Sequence, residues 1–173
     1  MRIGDRVSLS GTVVTARDIA HRYLVEKVPD IPELCSGVIY HCGPIVRKEQ
    51  DRFIAAGPTT SIRQEMYQAR VIKDYRLRGI IGKGGMGEET AQALIEGQAV
   101  YLHAIGGAAA YAAQKMQSIK KVYQLEEFGI PEALWVIEVK DFPLVVTMDS
   151  QGGNLHREVA DRSKRILEEF IYD

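Results

Sequence analysis

The chain has 173 residues, and at about 100 to 200 residues per domain this predicts one domain spanning residues 1–173. With 46% hydrophobic and 26% charged residues it has material for its own core, which excludes disordered and fibrous chains. Lys+Arg 22 against Asp+Glu 23 leave a net charge of -1, so no global basic field exists to neutralise a phosphate backbone or an anionic bilayer, and nucleic acid and membrane are excluded as partners.

Residues 5–14, DRVSLSGTVV, alternate apolar and polar at period two and predict a half-exposed antiparallel strand. Residues 17–28 read as a helix. The segment 37–46, GVIYHCGPIV, is β-rich and broken at Gly43-Pro44, and FIAA at 53–56 reads as a buried strand stopped by Gly57-Pro58. A helical run follows, with Ile62, Met66, Ala69 and Ile72 as its apolar stripe and Ser61 or Thr60 as its N-cap. A second strand–loop–helix unit runs from Gly79 through GKGGMG to EETAQALIEGQ. In a third, AVYLHAI is the strand, Gly106-Gly107 the turn and AAAYAAQKM an alanine-rich helix. Beyond Pro131, LWVIEV and LVVTM read as two strands, and residues 155–171 as a closing amphipathic helix. Alternating outer strands with βα units between them predict an α/β fold with a mixed sheet.

The N-terminal MRIGDRVSLSG meets charge at Arg2, Asp5 and Arg6 before any apolar run, and no stretch of about 18 apolar residues occurs. A cytoplasmic chain is expected. Cys35 and Cys42 fit neither a zinc spacing nor a disulfide framework and are read as ordinary thiols, with no metal held by this chain.

Gly82-Lys83-Gly84-Gly85-Met86-Gly87 fits G-x-G-x-x-G between a strand and a helix. The fingerprint then fails: about 20 residues on, where an acid should hold a ribose, stands YLHAI. Walker A fails because Gly84 follows Lys83. A glycine loop with free N–H groups and one lysine remains, suited to a small anion; the plainer reading is a tight turn with a solvated lysine. Thr59, Thr60 and Arg63 form a second constellation after Gly57-Pro58, offering hydroxyls and a planar bidentate donor to one carboxylate. The third is Arg17-Asp18-Ile19-Ala20-His21, for which Asp18 as helix cap, Arg17 as a solvated charge and His21 as a packed ring suffice singly. His41 reads as a loop histidine, His103 as core, and His156 as lying on an exposed helix face.

Taken in order, TARDIAH, YHCGPIV, AAGPTTSIR, GIIGKGGMG, the GGAAA turn, PEALWVIEVKDFP and DSQGGNL cover nearly the whole chain. Together they resemble the β subunit of two-subunit class I fumarate hydratases and L-tartrate dehydratases, equivalent to the C-terminal domain of the fused class I enzymes. The resemblance implies a swivelling β/β/α domain and reversible addition of water across the C=C bond of a dicarboxylate. It also implies a [4Fe–4S] cluster with one open iron. Such a cluster needs three cysteine ligands, and this chain has two, so the cluster is expected on a partner α subunit.

Carried onto the matching motifs, the resemblance implies Arg17, Thr60, Arg63 and Lys83 as ligands of the substrate carboxylates and Thr59 as the acid/base at the reacting carbon. Asp18 and His21 are the implied supports of Arg17, with Gly82, Gly84 and Gly85 shaping the lysine loop. The expected assembly is a homo-dimer or hetero-tetramer, inactive without the α subunit and acting on fumarate and L-malate or, alternatively, on L-tartrate. From another class, an anion- or nucleotide-binding module using GKGGMG, or a pure scaffold subunit, remains open. Gln64 follows Arg63 where many members of that family carry Met, a neutral change of similar length that leaves the arginine's role intact.

Overall fold

A computed structural model describes residues 1–47 and 52–172. In chain order it contains β1 (Arg6–Ala16), α1 (Asp18–Lys27), β2 (Val38–His41), β3 (Ile45–Arg47), β4 (Arg52–Ala55) and, after a 3₁₀ turn at Ser61–Gln64, α2 (Glu65–Tyr75). Then come β5 (Gly79–Gly82), α3 (Glu88–Gly97), β6 (Val100–His103), α4 (Ala109–Gln114), β7 (Met116–Tyr123), α5 (Leu125–Phe128), β8 (Leu134–Met148) and α6 (Leu155–Tyr172).

The main sheet has the order β1-β2-β5-β6-β8-β7. β1, β2, β5 and β6 run parallel to one another, while β8 is antiparallel to β1, β6 and β7. The α/β class with a mixed sheet is therefore what the chain adopts. Because β8 bonds both β1 and β6, the pairings β1-β2-β5-β6-β8 close into a cycle.

Successive residues of a strand point to opposite faces, and here both faces are covered. Val14, Ile39, Ile80 and Tyr101 share one core with Leu24 of α1, Ile72 of α2 and Leu94 of α3. Their immediate neighbours Val13, Tyr40, Ile81 and Leu102 belong to a second core with Trp135, Ile137 and Phe142. Double burial explains the unbroken apolar character of short strands such as Gly79–Gly82.

β1, β2 and β5 are adjacent and parallel, so their C-terminal ends share one edge of the sheet. Arg17 follows β1, His41 ends β2, and Lys83 follows β5. In parallel sheets ligands are held at this edge.

Several elements differ from the sequence reading. FIAA is only in part the buried strand expected: among the described residues β4 pairs only with β3, and Phe53 and Ala56 are buried while Arg52 and Ile54 are exposed. The two expected strands after Pro131 are one 15-residue strand, β8. Asp141 takes a left-handed φ of 50° within the register shift between the Leu9–Phe142 and Gly11–Val139 pairs, and its N–H donates to Ser10 Oγ at 3.0 Å, so the ladder bends without ending. The alanine-rich helix stops at Gln114, and the lysine-bearing edge strand β7 begins at Met116, where helical composition had hidden it.

Of the stripe expected along α2, Ile72 is buried as read, but the N-terminal part is out of phase. Gln68, Val71, Ile72 and Tyr75 are buried, whereas Ile62 is 52% and Met66 74% exposed. Helix α6 forms as expected and is capped by Asn154 Oδ1, which accepts the His156 and Arg157 N–H groups, but Ile166, Leu167 and Phe170 face solvent.

Ile137→Ala removes fully buried volume between the sheet and its core and should cost about 2 to 5 kcal/mol in urea unfolding. Ile166→Ala on the exposed face of α6 should change it by less than about 0.5 kcal/mol.

Candidate functional site

Arg17 is the residue where β1 gives way to α1, extended at φ −120° and without a side-chain cap bond. Asp18 is therefore not the helix cap expected from sequence. Glu132 takes that place from across the fold: one carboxylate oxygen accepts the Ile19 N–H at 2.9 Å, and the other lies 3.4 Å from Arg17 Nε. Gly43 leaves room for the arginine, since a Cβ there would sit 2.4 Å from Arg17 Cδ.

Asp18 instead joins the two arginines. Its carboxylate pairs with the Arg63 guanidinium, lies 3.8 Å from Arg17 Nη2, and accepts a 2.6 Å hydrogen bond from Gln64 Nε2. Gln64 is buried and is thus part of the arrangement rather than a neutral substitution beside it. These half-exposed ion pairs contribute little stability. Their effect is positional, and each guanidinium, with five donors, retains N–H groups for another anion.

The GPTTSIR segment lies alongside the ends of β2 and β5. The Thr59 N–H donates to the His41 carbonyl at 2.7 Å, Thr60 bridges to Lys83, and the Ser61 N–H donates to the Lys83 carbonyl at 3.0 Å. Neither Thr60 nor Ser61 caps the following helix through its side chain. Thr59 and Lys83 are half-buried, and Thr60 and Arg63 exposed. Among the described residues, the Thr59 and Thr60 hydroxyls and the Lys83 ammonium have no hydrogen-bond or ion-pair partner.

The glycine loop is not an open helix N-terminus. Glu65 occupies it: its carboxylate accepts the Gly87 N–H at 2.7 Å, the Thr90 N–H at 3.1 Å and the Thr90 hydroxyl at 2.8 Å. The dipole end of α3 already has its anion, so the expected backbone anion site there is corrected and Lys83 is the loop's remaining cation. Gly84 and Gly85 have φ of +83° and +78°, which favour glycine. A Cβ at Gly85 would also fall 2.4 Å from the His156 ring. His156 is accordingly not on an exposed face: its Nε2 shares a 2.9 Å hydrogen bond with Thr147 Oγ1, and the ring packs against Tyr101 and His103.

Beneath these loops runs a chain of buried polar groups. His21 Nδ1 lies 2.8 Å from the Arg17 carbonyl and its Nε2 3.1 Å from the Gln68 side-chain amide. The same amide atom lies 2.7 Å from His41 Nε2, and His41 Nδ1 lies 2.8 Å from Ser61 Oγ. The Tyr101 hydroxyl donates to Ser61 Oγ at 2.7 Å. His41, expected in a loop, ends β2 and is fully buried. Burial lowers the pKa of His21 and lowers that of His41 well below the usual histidine value, with the neighbouring His21 adding to the second effect. Burial likewise pushes Tyr101 above its usual range and the Cys42 thiol up to about 12.

The sequence reading missed Gln68, Tyr101 and Glu132, and it read Ser61 as a helix cap, His41 as a loop histidine and Gln64 as a neutral neighbour of Arg63. One signal was available: Gln64 and Gln68 are four residues apart, and Val71, Ile72 and Tyr75 continue that helical face. The DSQGGNL motif is structural, because Asp149 accepts N–H groups from Ile3, Gln151 and Gly153. Burial opposes ionisation of Asp149, and these bonds outweigh it to hold the pKa below the usual value.

A groove of about 670 Å³ between α2 and α3, lined in part by Arg70, Arg76 and Gln92, contains none of the candidate residues. Among the described residues, no group of three or more His, Cys, Asp or Glu is arranged to hold a metal ion, and no helix is long and apolar enough to cross a membrane.

The sequence model of the family described as Fumarase C-terminus matches residues 1–159. A protein of Geobacillus stearothermophilus named "Putative fumarate hydratase class I" is 47% identical over 98% of this chain, which spans 33% of that protein. The L(+)-tartrate dehydratase subunit beta of Escherichia coli K12 is 40% identical over 98% of this chain and 88% of its own length. A relative from Methanocaldococcus jannaschii, named "Putative L(+)-tartrate dehydratase subunit beta", is 39% identical over 99% of this chain and 91% of its own.

Because His21 and His41 are held neutral while unfolded histidines bind protons below about 6.5, stability is fully present above that pH and lost as pH falls below it. The expected slope is up to about 1.4 kcal/mol per pH unit for each histidine. Urea unfolding between pH 7.5 and 5.5 measures it, and a flat midpoint contradicts it. Gly82→Ala places a Cβ 1.9 Å from Ser61 Oγ and 2.9 Å from the Tyr101 hydroxyl, and should destabilise by about 1 to 3 kcal/mol in the same assay.

Proposed function

Since the chain belongs to the fumarase C-terminus family, we propose that it is the β-type half of an iron–sulfur hydro-lyase, gripping the carboxylates of fumarate and L-malate during reversible hydration. The observation that carries this reading is the convergence at one sheet edge. Arg17, the Thr59–Arg63 segment and Lys83 come from motifs far apart in sequence and meet where β1, β2 and β5 end.

The [4Fe–4S] cluster that the family implies does not fit this chain. Cys35 is exposed just after a 3₁₀ turn at Pro32–Leu34, Cys42 is buried with its thiol pKa raised to about 12, and a third cysteine is lacking. The proposed assembly therefore pairs this chain with an α subunit that carries the cluster, as a hetero-oligomer.

Within that assembly the contribution of this chain is electrostatic. When a proton leaves the carbon beside a carboxylate, negative charge spreads onto that carboxylate, and cations already in place stabilise it without reorganising. Arg17 and Arg63 keep unused guanidinium donors, and Lys83 and Thr60 stand side by side. Thr59 is assigned the proton transfer. Its main chain is fixed to the His41 carbonyl, and its hydroxyl acts as base only where the alkoxide is stabilised or a neighbour takes the proton on.

A second reading keeps the chemistry and changes the substrate. The tartrate dehydratase β subunit of Escherichia coli matches this chain over 88% of its length, whereas the fumarate hydratase relative is three times as long as the matched part.

Co-expression with the candidate α subunit under anaerobic conditions, followed by assay of fumarate and L-tartrate consumption, separates the two. Turnover by the pair and by neither chain alone is expected. Arg63→Ala should lower kcat/KM by the equivalent of about 2 to 5 kcal/mol, since a carboxylate loses its partner. Lys83→Arg should also lose activity, because a planar fork does not replace a compact ammonium. Wild-type kinetics in both variants would overturn the assignment, and a stable cluster-loaded complex without turnover would overturn the hydratase reading.

A further inference from the structure

In the buried chain from Arg17 to Tyr101, one arrangement of protons on His21, Gln68 and His41 leaves neither imidazole charged and no amide hydrogen of Gln68 unpaired. His21 decides it. Its Nδ1 faces the Arg17 carbonyl, which can only accept, so a neutral His21 carries its proton on Nδ1 and its Nε2 must accept. The Gln68 atom 3.1 Å from that Nε2 must then be a donor. Side-chain amide oxygen and nitrogen are assigned by their partners, and the nitrogen belongs here. Its second hydrogen points to His41 Nε2 at 2.7 Å, which fixes His41 as the Nδ1–H form as well, donating to Ser61 Oγ. With the amide the other way round, Gln68 would bury an NH₂ group with no partner among the described residues, and His21 would need a second proton. A partnerless carbonyl is the smaller cost.

We propose that Gln68 is a positioning residue of the site. Its amide donates to both imidazoles and locks them as neutral Nδ1–H tautomers, which in turn hold the Arg17 carbonyl and the Ser61 hydroxyl in place. Every candidate ligand is then tied to one hub. Arg17 carries the bonded carbonyl, Thr60 and Arg63 flank Ser61, the Thr59 N–H rests on the His41 carbonyl, and Lys83 receives the Ser61 N–H. Gly82 lies against the hub with no space for a Cβ. The link to turnover rests on the hydratase reading above; the tautomers do not.

The first test uses the unmodified ¹⁵N-labelled chain at pH 7.5. Long-range ¹H–¹⁵N correlation should show a protonated Nδ1 and an unprotonated Nε2 on both His21 and His41. An Nε2–H form of either ring, or an imidazolium at His21, would overturn the proposal. The second uses Gln68→Glu, an isosteric side chain that only accepts as a carboxylate and donates one hydrogen as the acid, so it cannot donate to both rings. The backbone amide shifts of Arg17, Thr59, Thr60 and Lys83 should move, and kcat/KM of the assembled pair should fall about 10²-fold, as for an ångström-scale misplacement. Unmoved shifts, or kcat/KM within about twofold of wild type, would overturn the positioning role. Should Gln68→Glu not fold, Ser61→Ala, which removes the acceptor at the far end of the chain, gives the same two readouts. If the unmodified pair shows no turnover, the hydratase reading falls, and the tautomers and amide shifts still decide this one.

Discussion

Burying two imidazoles without charge is the constraint on which the rest of the site depends. A charged histidine in a fully enclosed position costs far more than the hydrogen bonds it could add, so His21 and His41 must remain neutral and each ring nitrogen must meet a partner of the right sense. The rings, on α1 and β2, are joined to the Arg17 carbonyl at the start of α1, to Gln68 of α2, to Ser61 of the 3₁₀ turn and, through Ser61, to Tyr101 of β6. A network satisfied from five segments cannot be shifted at one of them without leaving a buried group unpaired elsewhere. The relative placement of the loops at the sheet edge therefore follows from hydrogen-bond accounting as well as from the apolar packing on both faces of the sheet.

Glycine supplies the space this arrangement needs. Gly43, Gly82 and Gly85 each lie against a polar side chain: the Arg17 stem, the Ser61–Tyr101–His41 junction and the His156 ring respectively. The glycine-rich character of the sequence thus marks close approach by the protein's own side chains. At α3 the same economy is visible in Glu65, which fills the helix N-terminus that a fingerprint reading would assign to a phosphate.

Much of the fold was legible because the strands and helices carry strong local signals. Alternation identified β1, and strand–glycine–helix order identified the β5–α3 unit. The reading failed where composition and tertiary context disagreed. FIAA looks buried, yet among the described residues β4 pairs only with β3, and Ile54 is exposed. On α2, Ile62 and Met66 suggested an apolar stripe, but the buried face begins with two glutamines whose amides are needed by Asp18 and the histidines. Hydrophobic periodicity cannot register a face that is buried for polar reasons. For the same reason Arg17, Thr59, Thr60, Arg63 and Lys83 could be picked out as charged or hydroxylic motifs, whereas the roles of Gln68, Ser61 and Tyr101 could not: their partners lie up to 47 residues away.

The division between a fixed main chain and accessible side-chain heads fits a half-site. The backbone is pinned at Arg17, Thr59, Ser61 and Lys83, while the Thr60 hydroxyl and the Arg63 guanidinium reach solvent. In water a cation gains little from a carboxylate, about 1 kcal/mol at 4 Å, and the same pair gains several-fold more where water is excluded. Holding the heads in place costs little while they are hydrated, because solvent satisfies them. Under the proposed function, their attraction for the substrate rises only when a second surface closes over the edge of the sheet. Rigid positioning from below and desolvation from above are then separate contributions, the first belonging to this chain and the second to its partner.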